Sequence, residues 1–490
     1  MSVRRIGLSL ALGGLMVVID TTVTLVAVPA IVAGFAAPLP AVQWVTTGYV
    51  LGIVAVIPLA GWASARFGAR RVYLAGLLAF TVFSALAGLA WDVVSLAVFR
   101  FLQGLGGGLL NPVGQAIGLR AAPRDQRGRL MSLLVLPLLI GPALGPLLGG
   151  WLVDAASWRW IFLINVPFGV VALLVCSRVL PGDTEPIRTG PGVDWVGLGQ
   201  LSGGAVLVVL GGTMLDHPSV PAIGVFLSGL MILAIFVRRA RRVPHPVVDP
   251  GLLRQPPFRA GIAVLVVFVA GYFGQMAVFP LYVQGVNGDP AVLVGVLGLP
   301  AAVTVGLVAQ IATRLVDRIP PRRIVLTGTA VAAAGALGLL AATASGAGYP
   351  WIVAAATVLS AGSGATIMPT MTVAVRDLDD AATPRGTTLL ALSSQLAGAV
   401  GGAAVAVTLS GLVAARMPGG GVAEMLALDP AARTAHRDDL TAAIGWGYAL
   451  PAVLLVAAFL LAVRILRPGH PTSAPHPGSA GIRSRPPSAR

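Results

Sequence analysis

The chain has 490 residues, of which 56% are hydrophobic and 10% charged, and its 33 basic residues are all arginine, against 18 acidic residues. Soluble domains are about 45–50% apolar and about 25% charged, so this composition excludes an ordinary soluble protein and indicates a membrane protein. The net charge of +15 could suggest a nucleic-acid partner, but the positions of the arginines exclude one.

Apolar stretches recur along the chain, each long enough to cross a hydrocarbon core of about 30 Å. Because these runs are continuous and do not alternate strictly, they predict helices and not a barrel. The sequence therefore predicts an all-α polytopic membrane protein with fourteen transmembrane helices. Their predicted positions are 6–32, 42–62, 72–91, 93–118, 130–152, 159–180, 193–214, 220–238, 259–284, 291–315, 323–344, 350–375, 386–413 and 440–464.

The arginines predict how these helices are oriented. With a cytoplasmic N-terminus, 28 of the 33 arginines fall in cytoplasmic segments, four lie outside and Arg100 is intramembrane, as the positive-inside rule requires. Both termini are therefore predicted to be cytoplasmic, with the basic loops facing anionic membrane lipid and no nucleic acid. Arginine as the only basic residue, with abundant Ala, Gly and Pro, suggests a bacterial source and hence the bacterial cytoplasmic (inner) membrane.

Two short arginine-rich loops, 66–71 and 314–323, follow the second and tenth spans. This internal repeat predicts two six-helix halves with two helices inserted between them, as in transporters built from repeats. The tail is too poor in apolar residues to fold. The predicted divisions are an N-terminal half at 1–180, the inserted helices and a cytoplasmic linker at 181–258, a C-terminal half at 259–467, and a disordered cytoplasmic tail at 468–490.

Only two charges, Asp20 and Arg100, lie well inside the apolar runs. A charge near the middle of a bilayer costs about 2.5 kcal/mol or more, so each is expected to have an internal partner or a function. Arg100 lies about 12 Å along its helix from Asp92, which favours burial over snorkelling to the interface. No other Asp, Glu or His lies well inside a span. The sequence therefore predicts no catalytic residues, no metal site and no enzyme.

Five segments carry a resemblance to a known family: IDTTVTLVAVP (19–29), WVTTGYVL (44–51), RFLQGLGGG (100–108), GPALGPLLGGWL (141–152) and WRWIFLINVPFG (158–169). Together they resemble the fourteen-helix drug:proton antiporter branch of the major facilitator superfamily. The resemblance implies the major facilitator fold and a multidrug or antibiotic efflux permease.

The resemblance assigns proton coupling to the two buried charges. Asp20 matches the acidic position of the first-span motif, and Arg100 with Gln103 and Gly104 matches the RxxQG motif. A permanently charged arginine can hold a carboxylate in its ionised form, or release it when the helices move. The alternative is a fixed structural ion pair that never exchanges a proton.

The fifth predicted span carries a stripe of glycines. Gly141, Gly145 and Gly149 are spaced four residues apart, so they share one helix face and permit close packing. Prolines within the span would bend it. In the resembled family this segment is the antiporter motif, a seam between the two halves; the alternative is ordinary small-residue packing. The predicted motif residues are Gly141, Pro142, Gly145, Pro146, Gly149 and Gly150.

The loop GWASARFGARR (61–71) resembles the cytoplasmic gating loop of the superfamily but has Ala65 where the family has aspartate. The matching residues that remain are Gly61, Arg66, Gly68 and Arg70. We therefore expect the corresponding charge contact to be missing or to come from elsewhere in the chain.

Polar and aromatic residues within the spans are candidates for the substrate cavity. Most isolated polar residues in membrane helices form interhelical hydrogen bonds, so packing is the alternative for each. The candidates are Thr24, Trp44, Tyr49, Gln103, Asn165, Gln275 and Tyr282.

The sequence as a whole predicts an exporter that moves a bulky, largely apolar drug or antibiotic outward by alternating access. Its partners would be the small-molecule substrate, protons and membrane lipid; it would need no cofactor beyond the proton motive force, and would be a monomer. The alternatives are an importer or facilitator of a small organic solute on the same fold, and a membrane sensor or assembly factor that does not transport.

Overall fold

A computed structural model describes residues 3–37, 39–123, 126, 130, 133–134, 141, 144–145, 148–153, 155–183, 194–214, 219–243, 250–316, 318–376, 378, 383–417, 422, 425 and 428–465. Over these residues the regular structure is helical, which confirms the all-α prediction. The α-helices are α1 (Val3–Phe35), α2 (Leu39–Phe67), α3 (Ala69–Gly88), α4 (Val93–Ala121), α5 (Trp160–Leu163), α6 (Asn165–Val179), α7 (Trp195–Met214), α8 (Val220–Ala240), α9 (Pro256–Gly274), α10 (Val278–Leu281), α11 (Ala291–Leu315), α12 (Pro321–Ala344), α13 (Tyr349–Gly364), α14 (Ile367–Arg376), α15 (Thr383–Arg416), α16 (Pro430–Ala435), α17 (Arg437–Trp446) and α18 (Ala449–Ile465).

Thirteen stretches of the described residues are long and apolar enough to cross a membrane. The predicted fifth span, 130–152, lies largely outside the described residues, so the count of fourteen and the cytoplasmic placement of the termini stay predictions. The predicted tail, 468–490, also lies outside them.

Four predicted spans are interrupted in the structure, and each interruption precedes a proline. The breaks at Ile164, at 275–277, at 365–366 and at 447–448 lie just before Pro167, Pro280, Pro369 and Pro451. A proline has no N–H for the carbonyl four residues earlier, which weakens the helical hydrogen-bond pattern at that point, although α2, α4 and α11 continue through Pro58, Pro112 and Pro300. The first break makes Asn165 the first residue of α6.

The start of α4 is fixed by a capping box. Ser95 N–H donates to Asp92 Oδ1 at 2.7 Å, and Asp92 N–H donates to Ser95 Oγ at 3.2 Å. The hydrogen bond that the Asp92 side chain accepts from the Ser95 backbone N–H, together with one from the Ser95 side chain, holds the pKa of Asp92 below its ordinary value. The cap sets where α4 begins and so how deep Arg100 lies in it.

Each predicted half has its own apolar core. One core cluster is drawn from residues 6–180 and contains Tyr73 and Cys176. Another is drawn from residues 268–458 and contains Phe268 and Leu455. Both helix bundles therefore bury apolar side chains within themselves.

The two inserted helices, α7 and α8, pack against both bundles. Leu201 of α7 and Phe236 of α8 share a core cluster with Leu51 of α2 and Leu392 of α15. The inserted pair thus connects the first bundle to the second along one side of the molecule.

Candidate functional site

The two charges that the sequence places in the membrane contact each other. Arg100 Nη1 on α4 forms an ion pair with Asp20 Oδ2 on α1, and the side chains are 1% and 0% exposed. Arg100 is therefore buried and does not snorkel to an interface. Because neither group reaches water, each depends on the other and on neighbouring polar groups for stabilisation.

Two amide groups complete the surroundings of the carboxylate. Gln103 Nε2 donates to Asp20 Oδ1 at 3.0 Å, and Asn165 Nδ2 donates to the same oxygen at 2.8 Å. Asp20 thus accepts hydrogen bonds from α4 and α6 in addition to the ion pair. An ionised carboxylate accepts and cannot donate, so this set of donors suits the ionised form of Asp20.

Arg100 is held from several sides. Its Nε donates to the carbonyl of Val45 on α2 at 3.2 Å, and its Nη1 donates to Gln103 Oε1 at 2.8 Å. The guanidinium carbon lies 4.1 Å from the centre of the Tyr49 ring and 5.3 Å from that of Phe162, both within cation–π range. The planar, permanently charged arginine is thereby fixed in one orientation.

A serine that the sequence prediction missed supports the site from α3. Asn165 Nδ2 also donates to Ser84 Oγ at 3.0 Å, and Ser84 Oγ donates to the carbonyl of Phe162 at 2.9 Å. Ser84 is fully buried. The only sequence signal for it is a hydroxyl residue inside an apolar span, which most often reports helix packing.

The cavity candidates divide into two groups. Tyr49, Gln103 and Asn165 are buried around Asp20, and the Thr24 hydroxyl donates to the Asp20 backbone carbonyl at 2.7 Å. The others lie elsewhere among the described residues: Trp44 is 47% exposed, Gln275 lies in a 3-10 turn after α9, and Tyr282 begins a π-helical turn. A role in substrate binding stays a prediction for all seven.

The glycine stripe faces α1. A β-carbon added at Gly141 would meet Val18, one at Gly145 would meet Thr22, and one at Gly149 would lie 3.3 Å from Val23 Cγ1. The described glycines therefore permit close packing within the first bundle, on the helix that carries Asp20. Their role as a seam between the halves stays a prediction; Gly150 is half-buried, and Pro142 and Pro146 lie outside the described residues.

At the loop between α2 and α3, an acid comes from a distant part of the chain. Ala65 and Arg66 are exposed. Asp183, after α6, accepts from the backbone N–H groups of Arg70 at 2.8 Å and Arg71 at 3.2 Å, which stabilises the N-terminus of α3.

The same loop is shaped by two glycines and by the Arg70 side chain. Gly68 has φ +91°, a conformation that favours glycine, and the Arg70 guanidinium donates to the Ser177 carbonyl on α6. A β-carbon at Gly61 would lie 3.3 Å from Thr388 Oγ1 on α15. The loop therefore joins α3 to α6 within the first bundle, while Gly61 lies close to the second bundle.

We expect Asp183→Ala to destabilise the protein by about 1 kcal/mol, as the loss of a helix cap does. The reason is that two N–H groups at the start of α3 lose their acceptor. The thermal unfolding midpoint of the purified protein in detergent measures the effect, with Asp183→Asn, which keeps a side-chain oxygen that can accept from these N–H groups, as the control. Equal midpoints for both variants would contradict the capping role of Asp183.

Comparisons with known proteins agree with one another about this architecture. Residues 10–402 match the sequence model of the Major Facilitator Superfamily. The "Multidrug resistance protein B homolog" of Mycobacterium tuberculosis is 37% identical over 410 residues, which cover 81% of this chain and 75% of that protein. The "Tetracenomycin C resistance and export protein" of Streptomyces glaucescens is 31% identical over 339 residues, covering 68% and 62%.

Solved structures show the same fold at low sequence identity. The proton:xylose symporter XylE superposes with a TM-score of 0.61 at 16% identity, covering 94% of each chain. The human organic anion transporter MFSD10 gives a TM-score of 0.61 at 15% identity, covering 93% of this chain and 100% of that one. Both solved proteins are transporters by name, and this chain shares their fold.

Proposed function

This chain belongs to the major facilitator superfamily, and we propose on that footing that it is a proton-coupled exporter of bulky, largely apolar drugs or antibiotics across the bacterial cytoplasmic membrane. It is a multi-pass membrane transporter with drug-resistance relatives, and not an enzyme. The observation that carries the proton coupling is the buried carboxylate of Asp20, paired with Arg100 and supported by neutral amides.

The position of the ion pair supports alternating access as the mechanism. One apolar cluster with Ile31 and Phe162 and another with Met16 and Val17 lie around the part of α1 that carries Asp20. A proton can therefore reach Asp20 only when the helices around it rearrange. Binding the proton removes the charge that Arg100 pairs with, so the protonation state and the helix arrangement depend on each other.

The surroundings of Asp20 also bear on the charge of the substrate. The charge of its carboxylate is already balanced by Arg100. Asp20 is also the only acidic residue that lies well inside the spans among the described residues. A multivalent cation would therefore find little negative charge to pair with, since an unpaired charge in the membrane is strongly disfavoured. This favours a substrate that is recognised mainly through apolar surface.

The test is proton movement in inside-out vesicles that contain the purified transporter, an imposed acidic interior and a trapped pH-sensitive dye. Tetracenomycin C and a lipophilic dye without ionisable groups serve as substrates, so that passive entry of a weak base cannot change the interior pH. We expect an exporter to take up substrate and release protons, so the interior becomes less acidic on substrate addition. Entry of protons together with substrate would indicate symport, and no proton movement with either compound would contradict the proposal.

A further inference from the structure

Asn165 has an unusual position among the groups around Asp20, because its second partner is a hydroxyl. Its amide nitrogen donates to Asp20 Oδ1 at 2.8 Å and to Ser84 Oγ at 3.0 Å, and the residue is 3% exposed. Both amide hydrogens of Asn165 are therefore used in this arrangement, and both point toward acceptors.

Gln103 also donates to Asp20, but its orientation is fixed. Its amide oxygen accepts from Arg100 Nη1 at 2.8 Å, and an arginine can only donate. Turning the Gln103 amide would place N–H groups against the guanidinium. Gln103 therefore remains a donor to Asp20 for as long as Arg100 is in place.

The Asn165 amide is not restricted in this way. Ser84 carries a hydroxyl, which can donate or accept by rotating about its C–O bond. In the described arrangement Ser84 accepts from Asn165 and donates to the Phe162 carbonyl. If the hydroxyl rotates so that its hydrogen points toward Asn165, Ser84 can donate a hydrogen bond to an amide oxygen at that position.

When Asp20 is protonated, a hydrogen-bond acceptor in place of the Asn165 N–H group becomes favourable. A protonated carboxyl group brings an O–H donor into a site where the described amides present N–H donors, and a buried donor without an acceptor is costly. An amide oxygen facing both Asp20 and Ser84 would accept both hydroxyl groups. A 180° turn of the Asn165 amide supplies that oxygen without moving the backbone.

We infer that Asn165 is a positioning residue that switches its amide from donor to acceptor when Asp20 takes up a proton. This inference rests on the proposed function, in which Asp20 exchanges the proton with the aqueous side that is open. The proton binds to the carboxylate and later leaves it, and no other covalent bond changes. As Ser84 turns, the Phe162 carbonyl beside the break between α5 and α6 loses its hydroxyl donor, which links the protonation state to that break.

Few charged or titratable groups face Asp20 and could alter its protonation. Within the described residues, the charged or titratable groups that face Asp20 are Arg100 from α4 and the Tyr49 phenol from α2. From α6, the neutral side chain of Asn165 contacts Asp20, and from α3, the neutral side chain of Ser84 contacts Asn165. A shift in the titration of Asp20 after a change at Asn165 therefore reports a hydrogen bond and not a changed charge.

The experiment is infrared difference spectroscopy of the full-length transporter in lipid vesicles over a range of pH, without substrate. The band of the protonated carboxyl group of Asp20 is identified by its loss in Asp20→Asn. Asn165→Leu has a similar shape but no polar group, and it loses a hydrogen bond to both forms of Asp20. The hydrogen bond lost by the ionised form is the stronger one because it involves a charged group, so we expect this band to persist to a pH about one unit higher than in the wild type.

Two further measurements make the test specific. In the wild type, the Asn165 amide band, identified by its loss in Asn165→Leu, should shift when Asp20 is protonated, because its oxygen gains hydrogen bonds. Ser84→Ala should reduce that shift. Thr81→Val removes another buried hydroxyl of α3, one that donates to the Leu77 carbonyl in its own helix, and should change neither band.

The outcomes separate this inference from the proposed function. If the Asp20 band titrates but has the same midpoint in Asn165→Leu, Asn165 has no positioning role and the proposed function still stands. If the midpoint moves but the amide band does not respond to protonation, Asn165 is a fixed donor and the switch is wrong. If no carboxyl band is lost in Asp20→Asn at any pH, Asp20 does not bind a proton and the proposed function itself fails.

Discussion

Asp20→Asn is expected to abolish substrate-driven proton exchange, reducing it to the level of vesicles without transporter, while folded protein remains in the membrane. The amide has the shape of the carboxylate and keeps an oxygen that can accept from Arg100, but it cannot bind and release a proton at any working pH. The loss should therefore be complete and not partial. Proton movement in the vesicle assay measures it, and size-exclusion chromatography of the purified variant shows whether it is folded.

A matched control exists at the other ion pair of the described residues. Asp194, just before α7, accepts from Arg239 Nη2 at 2.7 Å, far along the chain from the Asp20 site. Asp194→Asn makes the same chemical change and should retain proton exchange. Normal exchange by Asp20→Asn would show that the buried carboxylate is structural, and the proton-coupling proposal would be wrong.

Arg100→Lys is expected to lose proton exchange and also about 1.5–3 kcal/mol of stability, the range for losing hydrogen bonds to charged groups. A lysine keeps the positive charge but has a single ammonium group, which cannot reproduce the donation to the Val45 carbonyl, the contacts to Asp20 and Gln103, and the stacking on Tyr49. Without these contacts, the carboxylate of Asp20 is poorly stabilised. The thermal unfolding midpoint in detergent measures the stability, and the vesicle assay measures the exchange.

Arg239→Lys is the control for this substitution, because the side chain of Arg239 is 36% exposed and partly exposed ion pairs contribute about 1 kcal/mol or less. The double variant Asp20→Asn with Arg100→Met adds a further check. Removing both charges should restore much of the stability but no proton exchange. An Arg100→Lys protein with wild-type stability and exchange would contradict the role assigned to the guanidinium.

The buried charges could be found from the sequence because the energetic penalty of a charge in the membrane is a property of single residues. Asp20 and Arg100 stand out in apolar runs whatever their neighbours are. The helical class and the spans follow in the same way, since a bilayer requires long apolar segments with satisfied backbone groups. The interruptions before Pro167, Pro280, Pro369 and Pro451 do not follow from the missing N–H of proline alone, because α2, α4 and α11 continue through Pro58, Pro112 and Pro300.

The partners of these charges were decided by the packing of helices that are distant in the sequence. Asn165 was predicted only as a cavity residue and Ser84 was not predicted at all, although both lie in the hydrogen-bond network of Asp20. Asp183 was likewise missed as the acid at the start of α3. Hydropathy and motif spacing determine which residues enter the membrane, but not how each helix is rotated about its axis. That rotation brings Arg100 of α4 and Asn165 of α6 against the carboxylate of Asp20 on α1, so only the tertiary structure could decide which groups surround Asp20.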